Sequence, residues 1–90
     1  MPQINIADIH SLHNFKNILV VKRGQIDLEI RQLITNFKDM EQKWNDSQKR
    51  MVRQEFDKTL LILTRYIKSL DEFIEYLNNV LMAAKRYLDQ

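Results

Sequence analysis

Near the midpoint of this 90-residue chain lies KWNDS, residues 43–47, which contains its only Trp. On either side, about forty residues follow an uninterrupted helical pattern. Asn45, Asp46 and Ser47 are three consecutive good cap residues, because their side chains accept hydrogen bonds from the free N–H groups at a helix start. Asn45 with Gln48 also resembles a capping box. The stretch therefore predicts the bend of a helical hairpin.

The composition favours long helices and few turns. The chain has one Gly and one Pro, so it lacks most of the usual turn chemistry, and a sheet needs many turns. Hydrophobic residues make up 44% and charged residues 29%, which is typical of an ordered chain. There is no Cys, hence no disulfide, thiol nucleophile or thiolate metal site. This length predicts a single domain, residues 1–90.

The first arm carries apolar residues at a spacing of seven, which indicates a heptad seam. Asn5 is a good N-cap, so we expect helix 1 to begin near Ile6 and to reach about residue 43, with Ile4 and Ile9 forming a hydrophobic staple. The row consists of Leu12, Leu19, Ile26, Leu33 and Met40, and is flanked by Phe15, Ile30, Phe37 and Trp44.

The second arm, expected to be helical over about 47–88 after a turn at 44–46, carries three such rows. Three adjacent rows are more apolar surface than one partner helix covers. An exposed remainder of that size is unusual in a monomer, so we expect an all-α antiparallel two-helix hairpin that dimerises into a four-helix bundle. The rows are Phe56, Leu63, Leu70, Leu77 and Ala84; Leu60, Ile67, Ile74, Leu81 and Leu88; and Tyr66, Phe73, Val80 and Tyr87.

The predicted core or dimer face therefore draws on both arms. Folding back at Trp44 places Leu19 opposite about Leu70, and Gly24 opposite about Tyr66. Gly24 is then either a tolerated surface glycine or the point where a bulky ring approaches the backbone. The face comprises Leu12, Phe15, Leu19, Ile26, Leu33, Phe56, Leu63, Ile67, Leu70, Ile74, Leu77 and Leu81.

The residues that carry chemistry in enzymes do not form a recognisable site. No Glu has a His three residues later, so the di-metal motif of four-helix bundles is absent from the sequence. His10 and His13 lie one turn apart and could share a metal ion, but a solvated helix face is the preferred interpretation. Neither a Gly-rich phosphate loop nor a nucleophile elbow is present. We predict that the chain is not an enzyme and takes no cofactor.

The charge pattern does not favour nucleic acid or membrane. The formal net charge is +2, and acidic neighbours dilute the basic cluster of Lys43, Lys49, Arg50 and Arg53, whereas DNA binding favours a one-sided basic stripe. No apolar run approaches the roughly 20 residues of a membrane span. The pattern of a signal peptide is missing. We expect a cytoplasmic protein, with secretion lacking a cleaved signal peptide as the alternative.

The chain resembles the WXG (Trp-X-Gly) family of type VII, or ESX, secretion proteins, the early-secreted-antigen-like proteins. The resemblance rests on the central Trp44-Asn45-Asp46 and on apolar residues along both arms. It departs from the family at Asp46, which replaces the motif Gly, and at Val52, which replaces an aromatic residue. The export signal, a Tyr with an acidic residue four positions later, is not met. The supporting residues are Ile4, Ile6, Leu12, Phe15, Phe56 and the terminal run 83–88.

The resemblance implies a small secretion substrate or partner that acts as a homodimer, or as a heterodimer with a related helical protein. A secretion apparatus or a toxin is the implied larger partner, and Trp44, Asn45 and Asp46 form the turn motif. Trp44 either closes the end of the hairpin core or forms a recognition surface at the tip. Surplus apolar surface alone equally fits a cytosolic helical adaptor or chaperone. A helical protein associated with nucleic acid is disfavoured by the mixed charge.

Overall fold

The computed structural model describes residues 5–88, which form two long helices joined by a short turn. Helix α1 spans Ile6–Glu41 and helix α2 spans Asp46–Leu88, with 36 and 43 residues respectively. They lie side by side in a rod of 66 × 19 × 16 Å. No strand occurs within residues 5–88, and the predicted all-α two-helix hairpin is confirmed.

Helix α1 begins with a complete capping box. The Asp8 backbone N–H donates to Asn5 Oδ1 at 2.8 Å, and the Asn5 backbone N–H donates to Asp8 Oδ2 at 3.2 Å. Asp8 also places negative charge in the first turn, where the helix dipole favours it. The predicted staple partner Ile4 lies outside the described residues.

The turn is tighter and begins earlier than the sequence suggests. The Lys43 N–H donates to the Met40 carbonyl and the Trp44 N–H to the Glu41 carbonyl, both at 3.1 Å. This three-residue spacing replaces the α-helical one, so α1 ends at Glu41 rather than near Lys43. Helix α2 begins at Asp46 because Asn45 caps it, its Oδ1 accepting from the Gln48 N–H at 3.0 Å.

The register between the helices differs from the predicted one. Glu41 bonds to Arg53, and further from the turn Arg23 bonds to Asp71. This register places Leu19 opposite about residue 75 rather than Leu70. The reason is that Glu41, the last residue of α1, pairs with Arg53, so the first two turns of α2 extend beyond the end of α1.

Gly24 is an ordinary surface glycine. A Cβ atom built there would meet nothing within 4 Å, so of the two alternatives the surface glycine is confirmed and the close approach to Tyr66 is wrong. The register explains this, because Tyr66 is not opposite Gly24.

The apolar core is one seam between the helices. Its α2 side uses the first two predicted rows, and its α1 side shifts from Leu33 to Ile34 near the turn, because the helix repeat of 3.6 residues drifts against a strict heptad. Among the described residues, the buried ones are Phe37, Leu77, Leu81 and Ala84. The half-buried apolar residues that complete the seam are Ile9, Leu12, Leu19, Ile26, Ile30 and Ile34 with Phe56, Leu60, Leu63, Ile67, Leu70 and Ile74.

Candidate assembly surface

The turn end of the hairpin is held by aromatic stacking and charge. The rings of Phe37 and Phe56 are stacked with centroids 3.9 Å apart and an angle of 11° between their planes. Arg53 lies beside this pair, with its guanidinium carbon 5.9 Å from the Phe37 centroid and its Nη1 2.6 Å from Glu41 Oε1. The hydrogen bond to Glu41 raises the pKa of Arg53 above its ordinary value. These contacts tie the start of the seam to the end of α1.

Trp44 lies at the tip, beyond the seam. Its side chain is half-buried and lines a shallow depression with Gln48, Met51 and Val52. Met51 is 68% exposed, so the depression has an apolar and accessible edge. Trp44 therefore packs on the first turns of α2 and also presents part of its ring at the tip, which leaves both predicted roles open.

One broad side of the hairpin carries an ion pair that joins the two helices. Arg23 on α1 makes a bidentate pair with Asp71 on α2, with Nε–Oδ1 at 2.8 Å and Nη2–Oδ2 at 3.1 Å. This hydrogen bond raises the pKa of Arg23. The planar fork geometry favours this one partner and register, although an exposed pair adds little stability.

The open end of the same side carries a groove in which the predicted pair His10 and His13 faces Asn78 and Lys85. The apolar side chains of Ile9, Leu81 and Met82 also line it. The lysine brings positive charge, which opposes cation binding. Within residues 5–88, no group of three His, Cys, Asp or Glu residues is placed to hold a metal ion. The groove is therefore a flank of the seam with a mixed lining, in which Ile9 and Met82 accompany the polar groups.

The predicted face residues are divided by the structure. The seam takes most of them: two are buried and eight are half-buried. Phe15 and Leu33 are 47% and 43% exposed, and they lie on the flank of α1 away from Arg23 and Asp71. The residues brought together are Leu12, Leu19, Ile26, Phe56, Leu63, Ile67, Leu70 and Ile74, with Leu77 and Leu81 at the open end.

The third predicted row on α2 lies outside the seam. Tyr66, Phe73 and Tyr87 are exposed and Val80 is half-buried. Ile62 and Tyr76, which the sequence analysis missed, lie beside this row and are 65% and 61% exposed. Their signal is a seven-residue row of their own, which also contains Ser69 and Ala83.

Helix α1 also carries apolar residues on the side opposite the seam, and these too were missed. Ile18, Val21 and Leu28 are between 56% and 58% exposed. They belong to an uncharged strip, here called the α1 outer strip, which runs along the far side of the helix. Its members are Ser11, Asn14, Ile18, Val21, Gln25, Leu28, Gln32 and Thr35, all of them exposed.

Neither described helix combines the length and the apolar character needed to cross a membrane. Three comparisons were made on the whole chain: with models of protein families, with curated proteins and with solved structures. None of them gave a match.

Proposed function

We propose that this chain is a non-enzymatic assembly protein that acts by forming a dimer or a complex with another helical protein. The observation that carries the proposal is the amount of large apolar side chain left exposed outside the seam. Seventeen large hydrophobic residues among those described are exposed. Several of them lie in rows along one helix face, and large exposed apolar patches mark interaction sites, because each covered Leu, Ile or Phe contributes about 1.5–3 kcal/mol.

The proposed class is a divergent WXG-type protein of type VII secretion. Two features support it: two long antiparallel helices of similar length, and a Trp at the turn between them. Asp46 takes the place of the motif glycine and lies in the first turn of α2. The positive end of the helix dipole stabilises a negative charge there. The substitution is thus compatible with the hairpin. The partner is a second copy or a related helical protein, and a secretion apparatus or toxin is the larger assembly.

A cytosolic adaptor or chaperone is the second candidate, favoured by one observation. The α1 outer strip and the third row of α2 point away from the seam in different directions, so the hairpin can contact more than one helix at a time. An adaptor would use both surfaces at once, whereas a simple dimer needs one.

Affinity purification of the tagged chain from its native cells, with identification of what is retained, tests the proposal. We expect a stoichiometric helical partner or a second copy. Recovery of a secretion ATPase or a toxin would support the secretion class, and recovery of a client that is insoluble without this chain would support the adaptor. Trp44→Ala serves as the comparison, since loss of a partner without loss of helicity assigns the tip to recognition.

A chain that elutes at its single-chain mass of 10.9 kDa at micromolar concentration, and retains no protein, contradicts the proposed function. Light scattering gives this mass directly. A phosphoryl-transfer or hydrolytic activity that follows the purified chain would contradict its non-enzymatic part.

A further inference from the structure

Helix α2 carries a second heptad seam beside the one that α1 covers. Its positions alternate by three and four residues from Thr59 to Tyr87, which is the spacing that keeps a stripe facing one partner helix. None of the positions is charged. We call this set the aromatic strip; its members are Thr59, Ile62, Tyr66, Ser69, Phe73, Tyr76, Val80, Ala83 and Tyr87.

The strip is open to solvent along its length. All its members are exposed except Val80, which is half-buried. The four rings of Tyr66, Phe73, Tyr76 and Tyr87 are 53%, 43%, 61% and 69% exposed. An aromatic side chain buries about 150–250 Å² when covered, so these rings alone still offer about 350–550 Å².

The flank of α1 next to the strip adds to the same side of the hairpin. The broad side that carries the Arg23–Asp71 pair also carries the groove that joins His13 to Lys85. The opposite flanks of both helices therefore share the other broad side, where the exposed Phe15 and Leu33 of α1 lie beside the strip. With them the apolar surface approaches the roughly 800 Å² that each partner contributes to a specific interface.

We propose that the aromatic strip docks on the aromatic strip of a second copy of this chain. The two α2 helices run antiparallel, with a two-fold axis passing between Phe73 and Tyr76. This inference rests on the proposed assembly function and specifies its partner and its surface. Pairing of the two strips joins two hairpins through a seam that is continuous with the one inside each hairpin. The strip contains no charged residue, so this pairing removes no charged group of the strip from water.

The sizes of the side chains select the antiparallel arrangement. A parallel in-register pair would place every residue opposite itself, so Tyr66 would meet Tyr66 and Ala83 would meet Ala83, giving overfilled and empty layers in turn. The antiparallel pair places Tyr66 opposite Ala83 and Ser69 opposite Val80, which evens out the volumes as a packed core requires. Opposed helix dipoles also avoid the repulsion of aligned ones.

An aromatic cluster forms at the centre of this arrangement. Within one chain, the rings of Phe73 and Tyr76 already lie 6.4 Å apart between centroids, with 17° between their planes. The two-fold axis places this pair opposite the same pair of the second copy, and aromatic pairs at 4.5–7 Å attract each other beyond their area.

The first test compares two charged variants by light scattering at micromolar concentration, with circular dichroism to check that each remains helical. Phe73→Lys should give a single-chain mass, because it places a charge at the centre of the interface. Leu28→Lys on the α1 outer strip is the matched control, since it also replaces an exposed apolar residue, and it should remain dimeric. The reverse result would overturn the strip as the interface while leaving the assembly function in place.

The second test fixes orientation by cysteine pairing, which is clean because the chain has no Cys. Ser69→Cys and Val80→Cys are made separately, and are oxidised alone and as an equal mixture. The mixture should give a disulfide-linked pair containing one of each variant, and each variant alone should give little. In the antiparallel pair the two copies of Ser69 are offset by eleven residues, about 16 Å, which is too far for a disulfide, so each variant alone cannot pair in this register.

The remaining outcomes are also decisive. A linked pair from Ser69→Cys alone indicates a parallel arrangement and overturns the antiparallel register. A wild-type chain that is monomeric overturns the inference. If that monomer still captures another protein in the affinity purification, the assembly function stands without self-association, and if it captures nothing, both fail.

Discussion

At the scale of single residues, side chains that belong to the same apolar pattern in the sequence differ in their burial. Phe15 and Phe37 both belong to the apolar pattern of α1, yet Phe37 is buried and stacks on Phe56, whereas Phe15 is 47% exposed. The difference follows from their places around the helix: Phe37 lies four residues after Leu33, in one row with Ile30, whereas Phe15 lies three residues after Leu12, on the other flank.

Phe37→Ala should therefore lower the free energy of unfolding by about 3–5 kcal/mol, the usual range for truncating a buried aromatic. Urea denaturation followed by circular dichroism measures the change. Phe15→Ala is the control within the same helix, and its loss should be clearly smaller. Equal losses for the two variants would show that Phe15 is as well packed as Phe37.

At Gly24 we expect a substitution to stabilise the fold, in contrast to Phe37→Ala. Gly24 lies in the interior of α1, where Gly is less favourable than Ala by about 0.8–1 kcal/mol, and a Cβ atom there has free space. Gly24→Ala should raise the free energy of unfolding by about that amount, measured in the same urea titration. Gln25→Ala, at the next exposed position, should change it little. A destabilised Gly24→Ala protein would show that something approaches this position in solution.

At the scale of helices and turn, the sequence predicts best the features that depend on local interactions, such as where a helix begins. The cap residues Asn45, Asp46 and Ser47 predicted a start of α2 near residue 47, within one residue of the observed Asp46, because a cap acts on N–H groups two or three residues away. The register between α1 and α2 could not be predicted from such local interactions. A heptad row packs almost equally well after a shift, and the choice depends on pairs such as Arg23–Asp71 that are distant in sequence.

The candidate surface was predicted in part for a related reason. The row Tyr66, Phe73 and Val80 stands out because each member is apolar. Ile62 and Tyr76 share their row with Ser69 and Ala83, and this mixture hides the pattern until exposure is known. On α1, Gln25 and Gln32 interrupt the outer strip in the same way, and the strip becomes visible only because all its members face solvent.

The cap itself provides a test at this scale. Asn45→Ala removes the acceptor of the Gln48 N–H bond and should lower the free energy of unfolding by about 1 kcal/mol. Thermal melts followed by circular dichroism are sensitive enough to detect this, since 1 kcal/mol shifts the Tm of a domain of this size by about 4–8 °C. Ser47→Ala changes an exposed neighbour outside the cap bond and is the control. If Ser47→Ala costs more than Asn45→Ala, the first turn of α2 is capped differently in solution.

At the scale of the whole molecule, the rod of 66 × 19 × 16 Å has a single internal seam and a second seam that lacks a partner. A hairpin of this shape buries few residues completely, so a large share of its stability must come from association if the aromatic strips pair. Folding and dimerisation are then linked, and stability depends on concentration by mass action.

The apparent Tm of the wild-type chain should consequently rise by about 5–11 °C when its concentration is raised about a hundredfold, since that change is worth about 2.7 kcal/mol per dimer, or about 1.4 kcal/mol per chain, and domains of this size shift by about 4–8 °C per kcal/mol. Calorimetry or circular dichroism in cells of different path length covers the range. Phe73→Lys should melt at one temperature throughout, because its monomer has no association to gain. The Tm of Leu28→Lys should depend on protein concentration as the wild-type Tm does, since the added charge lies on the far side of α1. A wild-type Tm that stays constant across the range would mean that the single seam is sufficient for the fold, and that the aromatic strip does not stabilise it by pairing with a second copy.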